Sequence, residues 1–360
     1  MNQTSPLAAV AGGLSGRNLD AMLVSGAPNV RYLTGFTGDN GAVLVAGGRA
    51  TLFTDPRFEI QAAQEAASAA CRVKISRGPL LVDVVAAIKR LGLRRIGYEP
   101  ARMTCDAFEL MKSKLPMRAS LEPAAGWIEQ LRMVKSAEEL ARIRRSVETN
   151  SRAFEQTARR VRAGMKESDL AAELEYRMRR LGAEKPSFDT IVAGGARSAL
   201  PHAQPTAARL AAGQLVVVDM GALQDGYCSD MTRMLFLGNP DGKVKRTYRA
   251  VLEAQLAAID AVRAGVPTAK VDRAARQVLK GYGLDRTFVH STGHGLGLEI
   301  HEPPRIGRRD KNRLAAGMAI TIEPGVYLEG FGGIRIEDTV VVTDTGCEIL
   351  TPTPKDLLVI

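Results

Sequence analysis

The chain has 360 residues, 45% of them hydrophobic and 24% charged, and a formal net charge of +10. That length is generous for one core and comfortable for two, and the composition is that of an ordinary soluble globular protein. No apolar run approaches the roughly 18 residues of a membrane span, and an aromatic content of 5% without basic–aromatic interleaving argues against nucleic acid as a partner. The excess positive charge falls instead on helical runs such as Arg142, Arg144 and Arg145, where solvated faces account for it. The first ten residues lack a basic n-region and a long apolar core, so no signal peptide is read. Cys71, Cys105, Cys228 and Cys347 are scattered without a CxxC pair, as expected of reduced thiols in the cytoplasm.

In chain order, the first third alternates short apolar runs with helical stretches. Residues 21–25, 31–35, 42–45, 50–53 and 96–98 read as strands, and 57–70, 80–91 and 106–114 as helices, with Gly92 closing the second. This is an α/β domain over 1–125, and the Pro/Gly-containing stretch 122–126 opens a linker over 126–135. Ser136-Ala-Glu-Glu139 is a capping-box signature that starts a long helix to about residue 161. A second helix spans 167–181 and stops at Gly182, and two more lie near 244–263 and 269–282. Strands are expected over 215–220, 227–237, 319–323 and 334–342. Helix pairs alternating with antiparallel hairpins predict an α+β domain over 136–360 with a crude internal duplication.

The chain has four histidines, and His290, His294 and His301 fall within twelve positions among glycines. The fourth, His202, follows a Gly-rich loop. Imidazole suits both metal ligation and proton transfer near neutral pH. The run Leu215-Val-Val-Val-Asp219 leads through Asp225-Gly226, a strong turn signal, to Asp230. A turn at either 224–225 or 225–226 leaves Asp219 and Asp230 on one sheet face, because strand side chains alternate with period two. Two carboxylates on a buried face repel one another unless a proton or cation lies between them. Glu323 ends an apolar strand and Glu337 sits inside another. One imidazole with four carboxylates is an oxygen-rich donor set that points to a pair of divalent metal ions.

At these residues the chain resembles the pita-bread metallopeptidases (family M24), the group containing prolidase, aminopeptidase P and methionine aminopeptidase. Asn29-Val-Arg-Tyr-Leu-Thr-Gly-Phe-Thr-Gly38 resembles the creatinase-like N-terminal domain of the proline-specific branch, and 131–139 resembles the entry to the catalytic domain. The implied fold is a pita-bread catalytic domain preceded by a creatinase-like α/β domain. Asp219, Asp230, His294, Glu323 and Glu337 match the family's dinuclear ligand set in order. By that resemblance Asp230 and Glu337 bridge the metals, Asp219 completes one site, and His294 with Glu323 completes the other. His202 and His301 resemble the catalytic pair at the scissile bond, and His290 a residue lining the proline pocket. Arg335 resembles an arginine that orients a metal-bridging carboxylate. Phe188, Ile191 and Tyr327 resemble pocket walls.

The implied reaction is hydrolysis of the bond between an N-terminal residue and proline. Two divalent ions, Mn²⁺ or Co²⁺ with Zn²⁺ also able to bind, make hydroxide available near neutral pH. Glu323 then shuttles a proton and His202 stabilises the oxyanion. Arg305 occupies a position where prolidase-like members hold an arginine that clamps a dipeptide's carboxylate, which puts Xaa-Pro dipeptidase ahead of Xaa-Pro aminopeptidase. Methionine aminopeptidase commonly lacks the N-terminal domain, and non-catalytic pita-bread binding modules typically lose ligands that are all present here. The expected partners are short proline-containing peptides, with no nucleic acid or membrane, and the expected assembly is a homodimer.

Overall fold

The computed structural model describes residues 5–360. The chain divides into two compact units, one ending at Arg132 and one running Met133–Ile360.

The first unit is built on a six-stranded mixed sheet in the order Cys71–Ile75, Arg49–Thr54, Gly41–Ala46, Ala21–Val24, Arg95–Tyr98, Ser120–Pro123. Leu80–Leu91 is helical and Gly92 closes it with φ 67°, its amide bonded to the carbonyls of Ile88 and Lys89. Residues 31–35, expected as a strand, belong instead to the helix Ala27–Thr34. Pro28 stands in its first turn and Gly35 caps it at φ 77°, and the buried Val30, Leu33 and Thr34 repeat with helical spacing. The β-forming Tyr32 and Thr34 outweigh those boundary signals in a five-residue window. The helix expected over 57–70 is interrupted: Pro56–Phe58 and Ala67–Ala69 are 3₁₀ turns flanking Glu59–Glu65. The strands Cys71–Ile75 and Ser120–Pro123 were not anticipated, and both lie at sheet edges, where little apolar burial marks them. Trp127–Met133, within the stretch expected as a linker, is helical, with Trp127 and Ile128 in the first unit's core.

In the second unit the capping box forms as expected: Ser136 Oγ accepts from the Glu139 amide, and Glu139 Oε2 accepts from the Ser136 amide, opening Ala137–Ala158. That helix packs with Glu167–Arg180, and Gly242–Asp260 packs with Thr268–Gly281. A four-stranded sheet runs Leu358–Val359, Met231–Phe236, Leu215–Met220, Ile191–Gly194. A five-stranded sheet runs Glu302–Ile306, Gly293–Gly295, Ala319–Ile322, Asp338–Val342, Cys347–Ile349. Leu215–Met220 is buried on both faces. Val216, Val218 and Met220 join the core of the first helix pair, with Phe154, Leu170 and Leu174. Leu215 and Val217 face the core of the second pair, with Val251, Val271 and Leu279. Period-two alternation therefore puts Asp219 on the side of Leu215 and Val217.

The long strands expected over 227–237 and 334–342 are each broken. Tyr227–Cys228 and Met231–Phe236 belong to different sheets, as do Gly332–Arg335 and Asp338–Val342. Asp230 and Glu337 sit at these two breaks. No helix among the described residues is long and apolar enough to cross a membrane.

Candidate metal centre

The hairpin turns at Asp225 and Gly226, both at positive φ, and Gln224 pairs with Tyr227. The same register carries down to Asp219 opposite Thr232, so Asp219 and Asp230 are diagonal neighbours on one face. Between the strand segments Gly221 is obligatory, because a Cβ there would lie 2.1 Å from Ser187 Oγ and 2.2 Å from the Ser229 carbonyl.

Asp219, Asp230 and Glu337 are buried, and His294 and Glu323 are nearly so. Ligand atoms of Asp230, His294 and Glu337 lie within 4.8 Å of one another. His294 Nε2 is 3.4 Å from Glu323 Oε1 and 3.6 Å from Asp230 Oδ2. Its Nδ1 lies 3.0 Å from the Gly295 carbonyl, which can only accept, so that nitrogen carries the proton and the Nε2 lone pair faces the carboxylates. Burial lowers the affinity of this imidazole for a second proton despite the acids beside it. Burial also raises the pKa of Glu323 to about 7 and those of Asp230 and Glu337 well above the carboxylate range, with mutual repulsion adding for Asp230 and Glu337. Asp219 Oδ1 is buried and has no hydrogen-bond partner. Converging buried oxygens, a neutral imidazole and an orphaned carboxylate oxygen together form a donor set for hard divalent cations.

Residues around the cluster hold it in place. Arg335, expected to orient a bridging carboxylate, donates from Nη2 to Asp219 Oδ2 at 2.6 Å and from Nε to Thr232 Oγ1 at 3.1 Å. Thr232 Oγ1 in turn donates to Glu337 Oε2 at 2.7 Å, so the arginine reaches this carboxylate through the threonine. Thr321 Oγ1 accepts from the His294 amide at 3.0 Å and lies 3.3 Å from Glu323 Oε1. Neither threonine was singled out in the sequence. Thr232 stands directly opposite Asp219 in the strand pairing and Thr321 two residues before Glu323 at a strand's end, so same-face arithmetic could have found them.

A cavity of about 740 Å³ opens on the cluster. Phe188, Ile191, His202, His290, His301 and Arg305 line it, beside all five candidate ligands. Tyr327, expected on its wall, lies behind it: the hydroxyl is 2.8 Å from His290 Nε2 and accepts from Arg335 Nη1 at 2.6 Å. The phenol thus links His290 to the arginine on Asp219. His290 is further placed by Arg276, which donates to the His290 and Phe288 carbonyls while paired with Asp272. Burial drives the His290 pKa down to about 4, and its ring is neutral at pH 7. His301 stacks edge-on to His294 at 4.5 Å, and His202 is exposed at the cavity mouth. Glu302, also unanticipated, lines the cavity in a buried 3.0 Å ion pair with Lys135.

The profile of metallopeptidase family M24 matches residues 141–344, and that of the creatinase/prolidase N-terminal domain matches 7–134. The chain belongs to metallopeptidase family M24. Among M24 proteins it is 37% identical to an Xaa-Pro dipeptidase of Pyrococcus horikoshii over 95% of each chain. Its structure superposes on an Xaa-Pro dipeptidase from Bacillus anthracis with a TM-score of 0.95, at 36% identity and 99% coverage of both chains. It also superposes on an X-Pro aminopeptidase from Thermotoga maritima with a TM-score of 0.89, at 37% identity, covering 96% of this chain and 99% of that one. M24 membership makes this chain a metal-dependent peptidase with a creatinase-type N-terminal domain and a pita-bread catalytic domain.

Proposed function

We propose that this chain is an Xaa-Pro dipeptidase, hydrolysing the bond between an N-terminal residue and a C-terminal proline. The observation that carries this reading is that one cavity wall holds both the carboxylate–imidazole cluster and Arg305. Arg305 is exposed and, among the described residues, has no acidic partner, which leaves its guanidinium fork free for a substrate carboxylate.

Asp219, Asp230, His294, Glu323 and Glu337 would hold two divalent ions, Mn²⁺ or Co²⁺ by the hardness of four of the five ligands. When bound, such ions supply Lewis acidity and lower the pKa of water at the site. The chain's own groups do the rest. Glu323 carries a proton from the attacking water to the departing proline nitrogen. His202, at the mouth of the cavity, donates to the carbonyl oxygen as charge develops on it, and His301 stands beside the same bond. His290, neutral and held by Tyr327, presents a ring face to proline along with Phe188 and Ile191. Arg305 fixes the terminal carboxylate of a dipeptide. The cytoplasm, a reducing compartment, fits the four free thiols.

The test is hydrolysis of Xaa-Pro dipeptides and Xaa-Pro-Xaa tripeptides with Mn²⁺ or Co²⁺ added, alongside elemental analysis. Dipeptide cleavage with two metals per chain is expected; active enzyme without stoichiometric metal sinks the reading. The alternative, an Xaa-Pro aminopeptidase, is favoured by one observation, the open groove that adjoins the cavity at Arg305. It wins if tripeptides are the better substrates.

A further inference from the structure

A second cavity, of about 820 Å³, adjoins the first. The two share His290, Ser291, Arg305 and Asp310, so the catalytic cavity passes into this groove along the wall that carries Arg305. There the chemistry changes. The groove adds Arg286, Arg308 and Arg309, all exposed, and among the described residues none of these three makes a side-chain hydrogen bond or ion pair. Among the described residues its only acids are Asp285 and Asp310, the latter held in place by Thr268 Oγ1 at 2.7 Å and the Asn312 amide at 2.8 Å, against the four arginines Arg286, Arg305, Arg308 and Arg309. Arg276 on the same wall is paired with Asp272 and contributes little free charge.

One arginine is enough for a dipeptide's carboxylate. Three more just beyond it outnumber Asp285 and Asp310, leave the groove net positive, and focus positive potential where a longer peptide would continue. We propose that this groove binds the residue that follows proline in a longer substrate and selects an acidic side chain there. The inference rests on the Xaa-Pro peptidase reading above and extends it to substrate choice.

The test compares Ala-Pro-Asp with Ala-Pro-Lys on the metal-loaded enzyme and on a variant carrying Arg286→Gln, Arg308→Gln and Arg309→Gln. The quantity read is the ratio of kcat/KM for the two peptides within each protein, so that any general loss of activity cancels. At low salt the ratio should be about tenfold in favour of aspartate, the effect of a few exposed charge pairs. It should shrink at high salt and fall close to one in the variant. Equal handling of the two tripeptides by the unsubstituted enzyme, or a preference that survives in the variant, overturns the inference. Cleavage of Ala-Pro without tripeptide discrimination keeps the dipeptidase reading and removes only this one. If none of the three peptides is cleaved, the activity reading fails. The same ratio is then taken from calorimetric dissociation constants for the two tripeptides, with the same outcomes deciding.

Discussion

Each candidate ligand is a side chain whose burial would be costly without a counter-ion, and the neighbours that offset the cost are specific. Asp219 has Arg335, Glu337 has Thr232, and His294 has the Gly295 carbonyl. Replacing His294 or Glu323 with Ala should abolish turnover and reduce bound divalent metal, as read by elemental analysis. His202→Ala should lower kcat roughly 10²–10³-fold with metal content intact, the cost of one oxyanion donor; metal release on that substitution would instead make His202 a ligand. Arg305→Ala should raise KM for Xaa-Pro dipeptides roughly tenfold or more, since hydrogen bonds to charged groups are worth about 1.5–3 kcal/mol. Arg305→Lys should recover only part, lacking the planar fork. An equal loss on tripeptides moves the assignment to an aminopeptidase. His290 sets a pH dependence of stability. Its native pKa of about 4 lies below the usual value of 6.5, so between those values the unfolded chain takes up a proton that the native state refuses. Stability from this group is therefore complete above 6.5 and falls as pH drops toward 4, by up to about 1.4 kcal/mol per pH unit. Urea unfolding should accordingly be more pH-sensitive in the native chain than in His290→Gln.

At the level of elements, the strand carrying His294 exists only because its flanking residues have no side chains. A Cβ on Gly293 would lie 1.9 Å from the Thr321 carbonyl, and one on Gly295 2.3 Å from the Pro303 carbonyl. Both obstacles are backbone, which cannot rotate away. Gly293→Ala or Gly295→Ala should therefore cost at least about 1–3 kcal/mol in denaturant unfolding, as overpacked cores do. A neutral effect would show that this pairing is loose. Ser136→Ala, by contrast, removes one cap of a long helix and should cost about 1 kcal/mol. The two cases differ in legibility. A cap is a local arrangement, so four consecutive residues state it. The clash at Gly293 depends on Thr321, 28 positions away, and period and propensity are silent about it. The same distinction explains the helix Ala27–Thr34 read as a strand, and the long strands whose breaks appear only where the chain changes sheets.

Across the whole molecule, the candidate ligands come from strands and breaks spread between residues 219 and 337, so metal would tie together segments that chain connectivity leaves apart. Stripping divalent metal with a chelator should lower Tm on the order of 10 °C, and adding metal back should restore it. A ligand held at about a thousand times its dissociation constant adds roughly 4 kcal/mol to the native state alone. An unchanged Tm would mean that the cluster does not hold metal. What the sequence determined by itself was the donor chemistry. Four acids in strand-like runs and a histidine among glycines are local patterns, and Asp225-Gly226 narrows the hairpin to two registers that both leave Asp219 and Asp230 on one face; the pairing of Gln224 with Tyr227 selects between them. What only the tertiary structure decided was the partnership of distant groups. Arg335 reaches Asp219, Tyr327 stands behind the wall, Lys135 finds Glu302, and three arginines meet beyond Arg305 in one groove. Hydrogen bonds and ion pairs act over a few ångströms, and which residues come that close is settled by how sheets and helices pack, not by their separation along the chain.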